Sequence, residues 1–165
     1  LRCVVVDPRP MSGRFVDKRE AHERLRRQLD EIIGNQDNPA ITQIQAWFEE
    51  KLLLDEKFKG YWDSSLLVVG MHPDEATDDI VRLALKHNKS FAVVPCCVFP
   101  KLRPRFFKSG KRVQTYEEYC EWLVELKPTE IRRSTLNFEG RNEVIYRKAI
   151  AEDALCQSCD DRSRA

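Results

Sequence analysis

The sequence predicts an α/β protein, a mainly parallel sheet flanked by helices and closed by an antiparallel hairpin near the C-terminus. Three observations predict it. Apolar runs at residues 3–6, 66–70 and 91–99 are short and nearly continuous, which suits strands buried on both faces rather than half-exposed alternating ones. Helical periodicity lies between and after those runs, giving the strand–helix order of parallel sheets. Finally, residues 130–138 and 142–147 flank Glu139-Gly140-Arg141, a glycine-containing connection suited to a hairpin.

Taken in order, Asp17-Lys18-Arg19-Glu20 is a capping box, followed by Ala21, Leu25, Leu29, Ile32 and Ile33 at helical spacing until Gly34 and the turn-rich residues 35–39. Residues 41–48 are ambiguous: Ile44, Ala46 and Phe48 alternate weakly, while Ile41, Ile44, Phe48 and Leu52 also suit a helix. A strand followed by a short helix at 53–59 is the reading, because the alternation otherwise lacks a strand here. Asp74 precedes a helix with Ala76, Ile80, Val81, Ala84 and Leu85 on one face. Thr115-Tyr116-Glu117-Glu118 is a second capping box; Tyr116, Tyr119, Cys120, Leu123 and Val124 then face inward until Pro128 ends the helix.

The 165 residues amount to one domain's worth of chain. With 28 Lys+Arg against 27 Asp+Glu and 42% hydrophobic residues, neither a disordered chain nor a wholly basic nucleic-acid module fits, and any basic site must be local. No apolar run approaches the roughly 18–20 residues of a membrane span, and the expectation is an intracellular protein, cytoplasmic or nuclear, with no membrane partner. The chain starts at Leu1 rather than Met, almost inside a strand, and is expected to be a piece of a longer protein. Its six cysteines are expected reduced: Cys3, Cys96, Cys97 and Cys120 read as small core residues. Cys156-Gln157-Ser158-Cys159 is the only CxxC, has no second CxxC or paired histidines to complete a ligand set, and falls in a polar tail, residues 151–165; no metal is expected.

Gly70-Met71-His72-Pro73-Asp74-Glu75-Ala76-Thr77-Asp78 resembles the G-x-H-x-x-x-A-T-D stretch of a family of class I S-adenosylmethionine-dependent methyltransferase domains. That family includes tRNA 2′-O-methyltransferases and proteins pairing such a domain with a glutathione-transferase-like one. Pro95-Cys96-Cys97 is similar to the family's Pro-Cys-Cys, and Glu139-Gly140-Arg141-Asn142 to its hairpin turn. The resemblance implies a Rossmann-like fold over residues 1–150, S-adenosylmethionine as methyl donor, and RNA as the most plausible acceptor. It also implies that residues 1–6 are the second strand of the sheet. The first strand, with its Gly-rich turn, is then expected before Leu1; its absence would leave a gap or force its two neighbours to pair. The chain departs from the pattern where the family has Lys before the His, Leu-Cys-Gly after it, and a His after the cysteines; here stand Met71, Pro73-Asp74-Glu75 and Val98. A catalytically degenerate fold serving as a nucleic-acid or protein binding module is the alternative.

Individual residues follow. Asp7, at the end of the first run and before Pro8, is placed to accept from ribose hydroxyls, or merely ends a strand. Trp47, Phe48 and Glu49 are candidates for adenine contact, the aromatics otherwise being core; Gly70 is grouped with the cofactor residues. Methyl transfer needs alignment rather than a protein nucleophile, but a hydroxyl acceptor gains from a base, and His72 or Asp74 could take its proton. The competing readings are a turn residue for His72 and, the favoured one, the N-cap of the following helix for Asp74. Thr77 and Asp78 read as first-turn residues at the positive end of the helix dipole. Lacking an activating partner in sequence, Cys96 and Cys97 read as packing, with Cys96 a candidate lining the acceptor pocket. Residues 101–112 hold six positive charges and no acid. Lys101, Arg103, Arg105 and Lys108 are candidate phosphate contacts and Phe106 a stacking platform, against the alternative of a solvated loop.

Overall fold

The computed structural model describes residues 3–9 and 41–150. The expected helix around residues 17–33 and the tail carrying the CxxC lie outside the described residues. The chain divides into two compact units, residues 1–62 and 63–165.

In the first unit, β1 (Cys3–Val6) pairs in parallel with β2 (Ile41–Ile44), Cys3 opposite Ile41 and Val6 opposite Ile44. The strand stops earlier than the alternating pattern suggests, because the Ala46 N–H turns back to the Ile44 carbonyl at 3.1 Å. A 3₁₀ turn (Glu50–Leu54) and helix α1 (Glu56–Ser64) follow. The Asp55 carboxylate accepts the Phe58 N–H at 2.7 Å, satisfying one of the donors that the first turn leaves free. Phe58 and Trp62, one turn apart, meet Phe48 in a cluster of three rings with centroids 6.0–6.3 Å apart.

In the second unit, β3 (Leu67–Met71), α2 (Thr77–Lys86) and β4 (Ser90–Val94) form a parallel βαβ. Helix α3 (Tyr116–Glu125) leads to the antiparallel hairpin of β5 (Arg132–Thr135) and β6 (Glu143–Arg147). The sheet runs β3-β4-β6-β5, with β6 antiparallel to both neighbours. The architecture is therefore mixed α/β. In place of one mainly parallel sheet there are a two-stranded parallel sheet and a four-stranded mixed one, and β3 is an edge strand whose Leu67, Val69 and Met71 are exposed.

The local signals explain the elements. The α3 capping box forms as its spacing predicts: Thr115 Oγ1 accepts the Glu118 N–H at 3.2 Å while Glu118 Oε2 accepts the Thr115 N–H at 3.2 Å. Helix α2 ends on Asn88 at φ 48°, where the Lys89 N–H reaches the Ala84 carbonyl at 2.8 Å and the Asn88 N–H the Leu85 carbonyl at 3.3 Å. This is a Schellman ending with Asn in glycine's usual place. Val81 and Ala84 of α2, Tyr119, Cys120 and Leu123 of α3, and Phe91, Val93, Ile131 and Ile145 from the sheet and its entry are buried to 1% exposure or less. Each large apolar side chain so buried contributes about 1.5–3 kcal/mol.

Candidate functional site

The parallel pair β3 and β4 ends on one carboxyl edge, and the loops leaving it carry the residues with chemical potential. The His72 N–H bonds the Val94 carbonyl at 3.0 Å, extending the ladder one residue beyond β3. The chain then turns through two left-handed residues, His72 at φ 49° and Asp74 at φ 48°. Neither is glycine, and such positions cost about 1–3 kcal/mol each and cluster at functional sites. From the hairpin, Phe138 meets the His72 ring edge-on at 6.4 Å. Asn142 fixes that hairpin turn: its side-chain amide donates to the Leu136 and Phe138 carbonyls at 3.0 and 2.8 Å, and Gly140 takes φ 97°. Phe138 is a site neighbour that the sequence reading did not single out; its position at the tip of the hairpin was the available signal.

Asp74 does not cap a helix. It opens a short 3₁₀ turn (Asp74–Ala76) without a side-chain cap, and α2 starts after Ala76, also uncapped by a side chain. The Asp74 carboxylate instead accepts the Cys96 thiol at 3.0 Å, and with Cys97 Sγ the three donor atoms lie within 4.8 Å of one another. Cys96 and Cys97 are half-buried, so neither is a plain core residue. Burial, together with the hydrogen bond to Asp74, pushes the Cys96 thiol up to about 12.

Packing accounts for Gly70, and a buried ion pair holds Arg105. A Cβ on Gly70 would stand 2.9 Å from Ile80 Cδ1 and from Pro73 Cγ, so glycine is there to let α2 and the turn pack onto β3. Arg105, expected at an RNA surface, is 4% exposed. Its Nε donates to Asp78 Oδ2 at 2.7 Å, its Nη1 to the Val98 carbonyl, and its guanidinium stacks 4.4 Å from the Tyr119 ring. Tyr119 donates to the other Asp78 oxygen at 2.5 Å, and burial followed by the Asp78 charge raises its phenol far above the ordinary value. Asp78 lies in the first turn of α2, as its sequence position suggests, and is at the same time a buried ion-pair partner; this triad anchors the loop after β4 to α2 and α3.

The rest of that loop is largely tied down. Arg103 bonds Asp79 at 3.2 Å and the Glu75 carbonyl at 2.8 Å, Lys111 pairs with Glu118 at 2.8 Å, and Arg112 donates to the Pro100 carbonyl at 2.6 Å. Lys101 and Lys108 are the cations of the loop whose side chains have no partner among the described residues. Phe106 is 55% exposed, its carbonyl accepting from the Trp122 indole at 3.1 Å.

The other candidates sit in the first unit. Asp7, at the carboxyl end of β1, accepts from the Arg9 N–H, Nε and Nη2 at 2.8, 3.0 and 2.9 Å, which holds its carboxyl below the ordinary value. Phe48 belongs to the three-ring cluster. Trp47 is exposed, and Glu49 pairs with Lys51 at 2.5 Å; both line a depression of about 460 Å³ together with Ala46, Leu52 and Leu54.

With this geometry in place, comparison with known proteins gives two relatives. The chain is 24% identical over 160 residues, 92% of its own length, to a Caenorhabditis elegans protein named "Probable tRNA (uracil-O(2)-)-methyltransferase". It is 30% identical over 105 residues to a Caenorhabditis briggsae protein of the same name. The similarity points to a methyltransferase family. The chain spans about a quarter of the first relative's length (26%) and 18% of the second's. No protein-family model and no solved structure matches the chain.

Proposed function

We propose that this chain is part of an S-adenosylmethionine-dependent RNA methyltransferase with a Rossmann-like sheet, and that His72 serves a hydroxyl acceptor as general base. The observation that carries the reading is the strained pair His72 and Asp74 at the shared carboxyl edge of β3 and β4, where open α/β sheets bind ligands. The names of the two relatives support the acceptor class.

The sulfonium donor supplies an electrophilic methyl group, so the chain's residues need to position and to move a proton. When bound, the donor would give up its methyl group from sulfur to the acceptor oxygen, and the hydroxyl proton so released would pass to the His72 ring, which Phe138 meets edge-on. Trp47 and Glu49 suit adenine, a flat ring against the indole and an amino group towards the carboxylate, and their depression falls within the volume range of small-molecule sites. Asp7 can accept ribose hydroxyls in competition with Arg9. Lys101 and Lys108 supply phosphate attraction, with Phe106 as the stacking platform.

The test uses a longer protein containing this chain. Calorimetric titration should register S-adenosylmethionine binding, and tRNA should acquire radiolabelled methyl groups, with His72→Ala lowering the rate about 100-fold or more. Binding of RNA without any methyl transfer would favour the degenerate binding module instead, a reading to which the Asp74–Cys96 hydrogen bond lends support. Absence of S-adenosylmethionine binding would end the enzyme reading.

A further inference from the structure

We propose that Asp74, Cys96 and Cys97 bind a thiophilic divalent cation of the Zn²⁺ class. One carboxylate oxygen and two sulfurs lie within 4.8 Å of one another, and Cys96 Sγ is 3.0 Å from Asp74 Oδ1. In a tetrahedral site with bonds of about 2.0–2.3 Å, neighbouring ligand atoms stand about 3.3–3.8 Å apart, so the cluster closes around a metal with small side-chain adjustments.

The donors are placed by the fold. Cys96 and Cys97 follow Pro95, which is fully buried at the end of β4, and Asp74 leaves β3 through the left-handed turn that the His72–Val94 hydrogen bond holds in register. Among the described residues no Lys, Arg or His pairs with the Asp74 carboxylate, and the half-buried Cys96 thiol is the group that faces it. A bound dication supplies the missing positive charge, displacing the thiol protons to solvent.

The donor set also selects the metal. Two thiolates and a carboxylate suit zinc and its spectroscopic substitute cobalt, whereas all-oxygen sites suit magnesium and calcium. Three protein ligands leave the fourth position to water or to an oxygen of a bound molecule, the open arrangement of reactive rather than purely structural zinc sites. The site requires neither S-adenosylmethionine nor RNA, so it stands or falls apart from the methyltransferase reading.

The experiment uses the full chain with Cys156→Ser and Cys159→Ser, which removes the competing CxxC, reduced and stripped with chelator. Titration with Co²⁺ should give a thiolate-to-cobalt charge-transfer band saturating at one equivalent and bleached by Zn²⁺. Cys96→Ser and Cys97→Ser should each weaken binding by about 100-fold or more, since loss of an outer-shell partner alone costs 10–100-fold. Zinc-edge X-ray absorption on the same chain, with the site itself unaltered, should give two sulfurs at about 2.3 Å and so does not depend on any site variant folding. No charge-transfer band, a zinc shell without sulfur, or a Co²⁺ affinity indifferent to both serine variants would each overturn the site and leave an ordinary thiol–carboxylate hydrogen bond.

Discussion

At the amino end of β4, Arg147 is 3% exposed and spreads its guanidinium over Glu130 at 2.6 Å, the Lys89 carbonyl at 3.1 Å and Asn88 Oδ1 at 2.8 Å. Asn88 Oδ1 also accepts the Ile150 N–H at 3.2 Å, its amide bonds the Ile150 carbonyl at 2.9 Å, and Ser90 Oγ accepts the Ala149 N–H at 3.0 Å. At the carboxyl end of β3 and β4, His72 and Asp74 sit in left-handed backbone, as Asn88 does at the other end, but here a thiol faces a carboxylate with no Lys, Arg or His paired to it among the described residues. One end pairs its polar groups and secures the hairpin to the βαβ; the other keeps uncompensated polar groups at the edge where open α/β sheets commonly bind ligands. Stability and reactivity are therefore divided between opposite edges of the same sheet.

The largest test of that division is Arg147→Ala. It strips a buried cation from Glu130 and Asn88, and should lower unfolding free energy by about 3–5 kcal/mol in denaturant titration, while His72→Ala should change it by less than about 1 kcal/mol. A comparable loss from His72→Ala would break the comparison. Gly70→Ala comes next: the Ile80 tip can swing aside but the Pro73 ring cannot, and the expected loss is about 1–3 kcal/mol. In the opposite direction, Asp74→Gly should stabilise by about 1 kcal/mol through relief of the left-handed backbone, raising the melting temperature even as it removes the carboxylate.

The smallest effect is a pH dependence. Lys111, then the Gln114 and Thr115 N–H groups, hold Glu118 down to about 2, against an ordinary 4.5; Lys127 and Arg147 lower Glu130 in the same sense. Because these folded-state values lie below the unfolded ones, the stabilisation is fully present above about 4.5 and drains away as pH falls towards about 2. Denaturation midpoints should therefore drop between about pH 5 and about pH 3, and Glu118→Gln should flatten part of that slope.

Periodicity and capping chemistry made much of the second unit legible. The Thr115–Glu118 box marked the start of α3, and Gly140 with Asn142 marked the hairpin turn. The sheet was harder to read. A near-continuous apolar run says that a strand is covered, not which neighbour covers it, and β4 turned out to lie between a parallel and an antiparallel partner. Asp74 looked like a cap because Asp before a helix commonly is one; the thiol that claims it lies 22 positions away. Arg105 was misread for a related reason. A run of positive charge gives no sign of which member has a buried acid waiting on another element, and Asp78 and Tyr119 are 27 and 41 positions removed from their partners.

The three tryptophans make the chain its own fluorimeter. Trp122 is stacked on Tyr119 at 6.1 Å, with the guanidinium of Arg82 5.7 Å from its ring centroid, and Trp62 lies inside the three-ring cluster, whereas Trp47 is 65% exposed at the lip of its depression. By exposure, emission from Trp47 should form the red, iodide-quenchable part of the spectrum, and that of the other two the blue part. An adenine-bearing ligand and partial unfolding would thus change different ends of one spectrum, with no label attached.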